Sequence, residues 1–213
     1  MGTIVGRNCK VEVALTLASA ILPTAVTKAY PPVATLSAHA LTAGMVGFWS
    51  VSAGMVELDQ QAIVVSNPLT NTWEMPGLDT ADYSTYTAGS LIMAATWGTI
   101  SEATSYEVGG GAADQLDDTR LYQSKRSNLA GLLAAQDLNI GVKQQEINGT
   151  AMQFVERQAQ RGLYCLFKIS KAGQILRVAY GVPSLPGENV GTGALGEGQF
   201  SVTCKQFVLK PNV

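Results

Sequence analysis

Residues 150–182 decide the fold, and they are TAMQFVERQAQRGLYCLFKISKAGQILRVAYGV. Their first part carries apolar residues at helical spacing, namely Ala151, Phe154, Val155 and Ala159. Thr150 with Gln153 three residues later fits a capping box at the start of a helix. Gly162 follows the last apolar residue, where glycine ends a helix well. The pattern predicts a helix over residues 150–161.

Three strands are predicted after this helix. Residues 163–169 and 174–182 are rich in β-forming residues, and residues 171–173 between them form a short turn in which Gly173 supplies positive φ. Residues 199–209 alternate in polarity, which indicates a third strand with one buried face. The apolar face carries Phe200, Val202, Cys204 and Val208, and the polar face carries Ser201, Thr203 and Lys205.

The rest of the chain is also dominated by strand patterns. Strands are predicted at residues 7–18, 24–29, 46–51, 62–66, 72–75, 96–108, 119–125 and 138–145. Tyr30-Pro31-Pro32 interrupts regular structure. Residues 112–118 are polar and predict a loop, and residues 127–136 predict a turn of helix. The fold class is therefore mainly β (α+β), an antiparallel sandwich or barrel with one flanking helix.

Composition and charge limit the possible functions. The chain has 213 residues, of which 14% are charged, and a formal net charge of −2. A protein built to grip nucleic acid would carry a basic excess, so this balance argues against such a function. It does not argue against a conduit through which nucleic acid slides. Low charge and 22 glycines fit a β-rich protein with extensive internal or self-contacts.

Metal, disulfide and membrane features are not expected. The cysteines are Cys9, Cys165 and Cys204, too few and too widely spaced for a disulfide framework or a zinc site, so we expect buried reduced thiols. The sequence shows no signal peptide, and its longest apolar run, around residues 11–21, is too short and mixed for a membrane span.

Catalytic patterns do not converge. His39 is the only histidine, and we assign it a structural role. The acidic group Asp114, Asp117 and Asp118 lacks the spacing of a calcium loop and fits a solvated loop. Asp79 and Asp82 fit turn caps. We expect no catalytic, cofactor-binding or metal-binding residue, and hence no enzyme.

A glycine pattern in residues 191–196 matches Gly-x-Gly-x-x-Gly. A dinucleotide fingerprint follows a strand and opens a helix. Here the glycines follow Pro183 and Pro186 and lead into a predicted strand. We interpret them as a flexible loop.

Landmarks in residues 32–91 resemble a small β-barrel module found in phage structural proteins, which is similar to the FCCH-type half-domain of ubiquitin-activating enzymes. The landmarks are His39-x-Leu41-x-x-Gly44, Gly54-Met55-x-x-Leu58, Trp73-x-x-x-Gly77-x-Asp79 and Tyr83-x-x-Tyr86-x-x-Gly89. This chain departs from the pattern at Asp59, where the family has Asn, and at Ser90, where it has Gly. The aromatic residues Trp49, Trp73, Tyr83 and Tyr86 fit either a sugar-binding surface or the barrel core, and we favour the core.

The order of elements in residues 119–208 resembles the major tail tube proteins of long-tailed bacteriophages. The matching features are the helix at 150–161, the turn at 171–173, the glycine-rich loop at 187–198, and Asp118-Thr119-Arg120, where an acidic residue and Thr open a strand. The resemblance implies a split tube domain, residues 1–31 and 92–213, with the module of residues 32–91 inserted.

The resemblance also implies a function. Subunits would self-assemble into stacked, hexameric rings that form the tail tube of the virion, through which DNA passes without specific binding. The partners implied are other copies of the chain and the tape-measure, terminator and baseplate or distal tail proteins, with assembly in the host cytoplasm. Residues 109–118, 187–198 and 207–213 would reach the neighbouring ring, and the module would decorate the outside.

Two further hypotheses stay open. A β-rich surface module that recognises a carbohydrate or host receptor would use the aromatic residues of the inserted segment. A tail terminator, or a tube subunit of a bacterial secretion apparatus, would share the ring-forming fold.

Overall fold

The computed structural model shows that the chain is mainly β, with a single α-helix in the part that it describes. It describes residues 9–109, 113–117, 128–133, 136–144, 149–187 and 196–211. The strands are β1 (Cys9–Leu17), β2 (Ala25–Val26), β3 (Val33–Thr35), β4 (Val46–Ala53), β5 (Ala62–Val64), β6 (Thr72–Glu74), β7 (Ala88–Thr99), β8 (Ala103–Val108), β9 (Ala113–Asp117), β10 (Asn128–Leu133), β11 (Asp137–Gln144), β12 (Cys165–Lys171), β13 (Gln174–Pro183) and β14 (Gly196–Cys204). The helix α1 is Thr150–Arg161, and a 3-10 turn covers Val56–Leu58.

Nine of the strands form one antiparallel sheet. Their order is β5-β4-β7-β1-β12-β13-β14-β11-β8, and two smaller sheets have the orders β2-β3-β6 and β10-β9. Five strands separate β7 from β8 in the large sheet, yet only residues 100–102 join them along the chain. The sheet must therefore bend back on itself, as in a β-sandwich rather than a closed barrel.

The bend creates two layers that enclose one core. We call β7, β1, β12 and β13 the shared layer, and β14, β11 and β8 the free layer. The core between them contains Val13, Phe167, Ile140 and Phe200 among other buried side chains, and we call it the sandwich core. The rings of Phe167 and Phe200, from different layers, have centroids 6.1 Å apart. Burial of these aliphatic and aromatic side chains is the main force that holds the layers together.

A second core covers the opposite face of the shared layer, and we call it the module core. Its largest fully buried side chains include Trp49, Trp73, Met55 and Leu58. Strand β4 extends the sheet beyond β7, and β5 lies against β13, so this part of the sheet curls over the layer. Phe48 of β4 stacks on Tyr180 of β13, with ring centroids 3.8 Å apart.

Consecutive residues of one strand point to opposite faces of a sheet. Leu166 belongs to the module core and Phe167 to the sandwich core, and both are fully buried. The same is true of Val178 and Ala179. At these positions of β12 and β13 the shared layer is thus buried on both faces.

The helix has the predicted bounds but not the predicted N-terminal cap. Gly149 is the N-cap and no side chain caps the helix, so the capping box of Thr150 and Gln153 is wrong. Gly162 ends the helix in the left-handed conformation, with φ of 62°, as predicted. Ala151, Met152 and Val155 are buried in the sandwich core, where α1 packs on β1, β7 and β13.

Several predicted elements need correction. Residues 96–108 are not one strand but the end of β7, a turn and β8. The loop predicted at 112–118 contains β9, and the helical turn predicted at 127–136 contains β10, which pairs with β9. The predicted strand at 199–209 ends at Cys204, and only a bridge between Leu209 and Val178 continues the pairing. The strand predicted at 119–125 lies outside the described residues, as do residues 188–195 of the loop predicted at 187–198. The last residues of that predicted loop, 196–198, belong to β14.

The module is joined to the rest of the chain by strands and hydrogen bonds. Strand β7 runs through the boundary predicted at 91/92, and β2, before the boundary predicted at 31/32, pairs with β3 after it. The Tyr86 hydroxyl donates to the carbonyl of Pro23 at 3.2 Å. The Tyr30–Pro31 peptide bond is cis. The division into a split domain and an insert stays a prediction.

Gly77 tests the contact between the module and the C-terminal segment. Gly77 and Gly44 have φ of 81° and 82°, and a Cβ at Gly77 would collide with the carbonyl oxygen of Lys210, whereas a Cβ at Gly44 meets nothing within 4 Å. We expect Gly44→Ala to lower the free energy of unfolding by about 1–2 kcal/mol through the left-handed conformation alone. Gly77→Ala should lower it further, because backbone must also move. The free energies of unfolding are measured by urea unfolding. If Gly44→Ala and Gly77→Ala lose the same amount, the close contact of Gly77 with Lys210 is contradicted.

Candidate assembly interface

His39 has the structural role that the sequence predicts. Its Nε2 lies 3.2 Å from the carbonyl oxygen of Thr72, and its Nδ1 accepts from the N–H of Leu41 at 3.3 Å. The ring meets Trp73 edge-on, with centroids 4.9 Å apart. Both ring nitrogens are therefore engaged with backbone, and the ring helps to close the module core.

The aromatic residues of the module point inward. Trp49 and Trp73 are fully buried, Tyr86 is 9% exposed, and Tyr83 packs partly buried on the same core. The Trp49 Nε1–H donates to the sulfur of Met75 at 3.3 Å. The prediction that these rings form a core is confirmed, and they do not form an exposed stacking surface for a sugar.

The cysteines are free thiols, as predicted. Cys165 and Cys204 are buried in the sandwich core. Burial raises the pKa of the Cys165 thiol to about 12 and has the same effect on Cys204. Thiols with such a pKa stay protonated at neutral pH and are poor nucleophiles. Cys9, at the start of β1, is half-buried.

The structure describes only some of the acidic residues that the sequence analysis considered. Asp79 accepts from the N–H of Ala81 at 3.0 Å, which confirms it as a turn cap. Asp117 is the last residue of β9. The structure does not describe Asp118 or the side chain of Asp114. In the described part of the chain, no group of three His, Cys, Asp or Glu could hold a metal ion. Of the glycine motif at 191–196, only Gly196 is described, and it begins β14 rather than lying in the predicted loop.

The two ends of the large sheet differ sharply. At one end, β5 is completely buried, with Ala62, Ile63 and Val64 each at most 1% exposed. At the other end, β8 pairs with β11 on one side, and no described strand pairs with its outer side. An unpaired edge presents backbone N–H and C=O groups to which another strand can bind.

The register shows which groups of β8 face outward. The N–H of Gly109 donates to the carbonyl of Asp137 at 2.7 Å, and Glu107 stands opposite Asn139. Because pairs alternate along an antiparallel ladder, the N–H groups of Tyr106 and Val108 point away from β11. Proline and lysine, which commonly protect edges, are absent from residues 103–108.

A further element near β8 in the chain is the hairpin of β9 and β10. It lies between β8 and β11 along the chain and forms a separate two-stranded sheet, in which Asp117 stands opposite Asn128. A two-stranded hairpin alone is marginally stable in water, so a further contact would stabilise it. Residue patterns did not reveal this pairing, because the sequence between β9 and β10 contains no Asn-Gly or Asp-Gly, the usual signal of a short hairpin.

The free layer has a polar outer face. Its inward residues, such as Ile140, Phe200 and Val202, are buried in the sandwich core. None of the alternate residues on the outer face is buried, and they are Ser105, Glu107, Asp137, Asn139, Gly141, Lys143, Glu197, Gln199, Ser201 and Thr203. The sequence predicted alternation for β14 and for the segment 96–108 that contains β8.

An ion pair ties the C-terminal segment to the module. Asp59 accepts from Lys205 Nζ at 2.9 Å and from the N–H of Val51 at 3.1 Å, and Gln206 Nε2 donates to its carbonyl at 3.1 Å. Partial burial acts to raise the pKa of Asp59, but the hydrogen bonds from Lys205 and Val51 outweigh it and lower the pKa below 3.8. The hydrogen bond to Asp59 raises the pKa of Lys205. Asp59 is one of the two departures from the module pattern, and an Asn there could not form this ion pair.

Comparisons with protein families and with curated proteins found no relative of this chain. No family profile matches the chain, and no curated protein matches its sequence. Within the described residues, no helix is long and apolar enough to cross a membrane.

The Asp59–Lys205 pair makes a testable contribution to stability. We expect Asp59→Asn to lower the free energy of unfolding at pH 7 by about 1 kcal/mol, whereas Asn at the exposed Asp82 should have almost no effect. Because the pKa of Asp59 is lowered, this contribution is present above its ordinary pKa of 3.8 and is lost as the pH falls through the folded value. The measurement is urea unfolding of both variants from pH 3 to 7, roughly the range of carboxyl titration. A loss of stability that is independent of pH would contradict the ion pair.

Proposed function

We propose that this chain is the subunit of a bacteriophage tail tube, a virion protein that self-assembles into stacked rings through which DNA is delivered. The observation that carries the proposal is the open edge of β8 at the end of a nine-stranded antiparallel sheet whose other end is buried. The fold class also supports it, because a mainly β sandwich with one flanking helix is what the resemblance to tail tube proteins implies. The sequence resemblance supplies the hexameric number of the ring.

The open edge of β8 would supply one half of the contact between neighbouring copies in a ring. Contacts that use two different surfaces of the same chain are heterologous, and they close into rings when the rotation between copies allows it. The outward N–H groups of Tyr106 and Val108 would bind the backbone of the next copy. The buried β5 prevents the sheet from extending in the other direction, so each copy would offer β8 as one half of the contact.

Stacking would use segments between the strands of the sandwich. The hairpin of β9 and β10 would reach the neighbouring ring, together with the loop predicted before β14. Residues 207–211, which the sequence also assigned to this role, instead pack within the subunit, because Val208 and Leu209 are buried and Leu209 bridges to Val178. The module would lie on the outside of the tube. The remaining partners in this proposal are the tape-measure, terminator and baseplate or distal tail proteins.

The charge balance suits passage of DNA. A net charge of −2 gives no general attraction for phosphate groups, so DNA would not be held in the channel.

The alternatives have less support. The inward aromatic rings weaken the hypothesis of carbohydrate recognition, because Trp49 and Trp73 are fully buried. A tail terminator would use the same edge for a single ring but would not form tubes.

Electron microscopy tests the proposal directly. Negative-stain images of the purified chain at increasing concentration should show hollow rings and then tubes with a central channel. Rings that never stack would favour a terminator. A chain that stays monomeric at high concentration, also when preformed tube ends are added as seeds, would contradict the proposal.

Substitution at Val108 tests the role of the edge. Val108→Pro removes an outward N–H without removing a bond to β11, and proline is tolerated at sheet edges. Val108→Thr has a similar shape, keeps the N–H, and controls for the lost apolar contact with the sandwich core. We expect both variants to fold by circular dichroism, and only Val108→Pro to stay unassembled in sedimentation experiments. Assembly of Val108→Pro at the rate of Val108→Thr would exclude β8 as the contact.

A further inference from the structure

We propose that the outer face of the free layer, formed by β14, β11 and β8, is the wall of the channel. This inference rests on the proposed function and assigns the surface that the transiting double-stranded DNA would meet. The described side chains of this face that carry no charge are Ser105, Asn139, Gln199, Ser201 and Thr203.

The position of the module leads to this assignment. The shared layer has the module core on one face and the sandwich core on the other, and the free layer lies beyond the sandwich core. The outer face of the free layer is therefore on the opposite side of the molecule from the module. An insert of that size pointing inward would block a channel, so the module must lie outside and the free layer inside.

The hydrogen-bonding direction of the sheet agrees with this orientation. Strand β8 is both part of the free layer and its open edge. If neighbouring copies join at β8, the contact lies at the edge of the free layer, so the polar outer faces of neighbouring copies come to lie side by side. Helix α1 is kept away from this face because it packs on β1, β7 and β13.

The chemistry of the face fits a surface over which DNA slides. Its charged residues are Glu107, Asp137, Glu197 and Lys143, and Lys143 stands opposite Glu197 in the register. The face thus holds three acidic groups and one basic group. Phosphate groups are bound chiefly by Lys and Arg, so a weakly acidic wall of hydroxyl and amide groups would not retain DNA. The same composition argues against a docking surface for a protein partner, since interface centres are apolar and aromatic.

Cysteine labelling of assembled tubes tests the assignment. Gln199→Cys places a thiol on the proposed wall, and Leu69→Cys places one on the module, where Leu69 is 69% exposed. Each variant is reacted, before and after assembly, with a small maleimide and with a maleimide carried on a protein-sized polyethylene glycol. The parent chain, with half-buried Cys9, supplies the background.

The expected result is a selective loss of reactivity. On assembly, Gln199→Cys should lose its reaction with the large reagent but keep its reaction with the small one, whereas Leu69→Cys should keep both. Reaction of Gln199→Cys tubes with the large reagent at the rate of Leu69→Cys tubes would overturn the wall assignment and leave the tube itself intact. If the parent forms no tubes in electron micrographs, the proposed function fails and the wall assignment fails with it.

A reconstruction of parent tubes covers the case in which a variant does not assemble. Cryo-electron microscopy of the unmodified chain should place β14, β11 and β8 at the smallest radius and the buried Trp73 at a larger one. The reverse order would overturn the assignment.

Discussion

The structure depends on the burial of one sheet layer on both of its faces. In strand β12, Leu166 packs into one core and the adjacent Phe167 into the other, and Val178 and Ala179 repeat this arrangement in β13. A fully buried Val, Leu or Phe side chain contributes about 1.5–3 kcal/mol relative to an exposed one. Because the two cores share these strands, removing the elements that cover either face would expose apolar side chains of the shared layer.

This constraint also determines which surfaces are left for function. The module core occupies one side of the shared layer, and α1 and the free layer occupy the other. At the ends of the large sheet, the edge that no described strand pairs with is that of β8, and the polar, open face is the outer face of β14, β11 and β8. An assembly built on that edge would have its module and its polar face on opposite sides, which is the arrangement that a decorated tube requires.

Local patterns predicted the parts of the fold that local forces decide. The helix at Thr150–Arg161, its end at Gly162 and the turn after Lys171 follow from helical periodicity and from glycine at positive φ. The sequence did not predict the joining of β4 to β7, the hairpin of β9 and β10, or the open edge of β8. These features depend on which strands meet in space, and alternation along one strand carries no information about its neighbour. The ion pair of Asp59 with Lys205 was missed for the same reason, since 146 residues separate the partners.

The central claim, that two cores share one layer, is tested most directly by comparing two unfolding signals. Trp49 and Trp73 lie in the module core, so their fluorescence reports on that core, whereas circular dichroism at helical wavelengths reports on α1 against the sandwich core. A shared layer predicts that both signals change at the same urea concentration, in one cooperative transition. If the tryptophan signal changes at a distinctly lower concentration while the helix persists, the module is an independent domain and the account is contradicted.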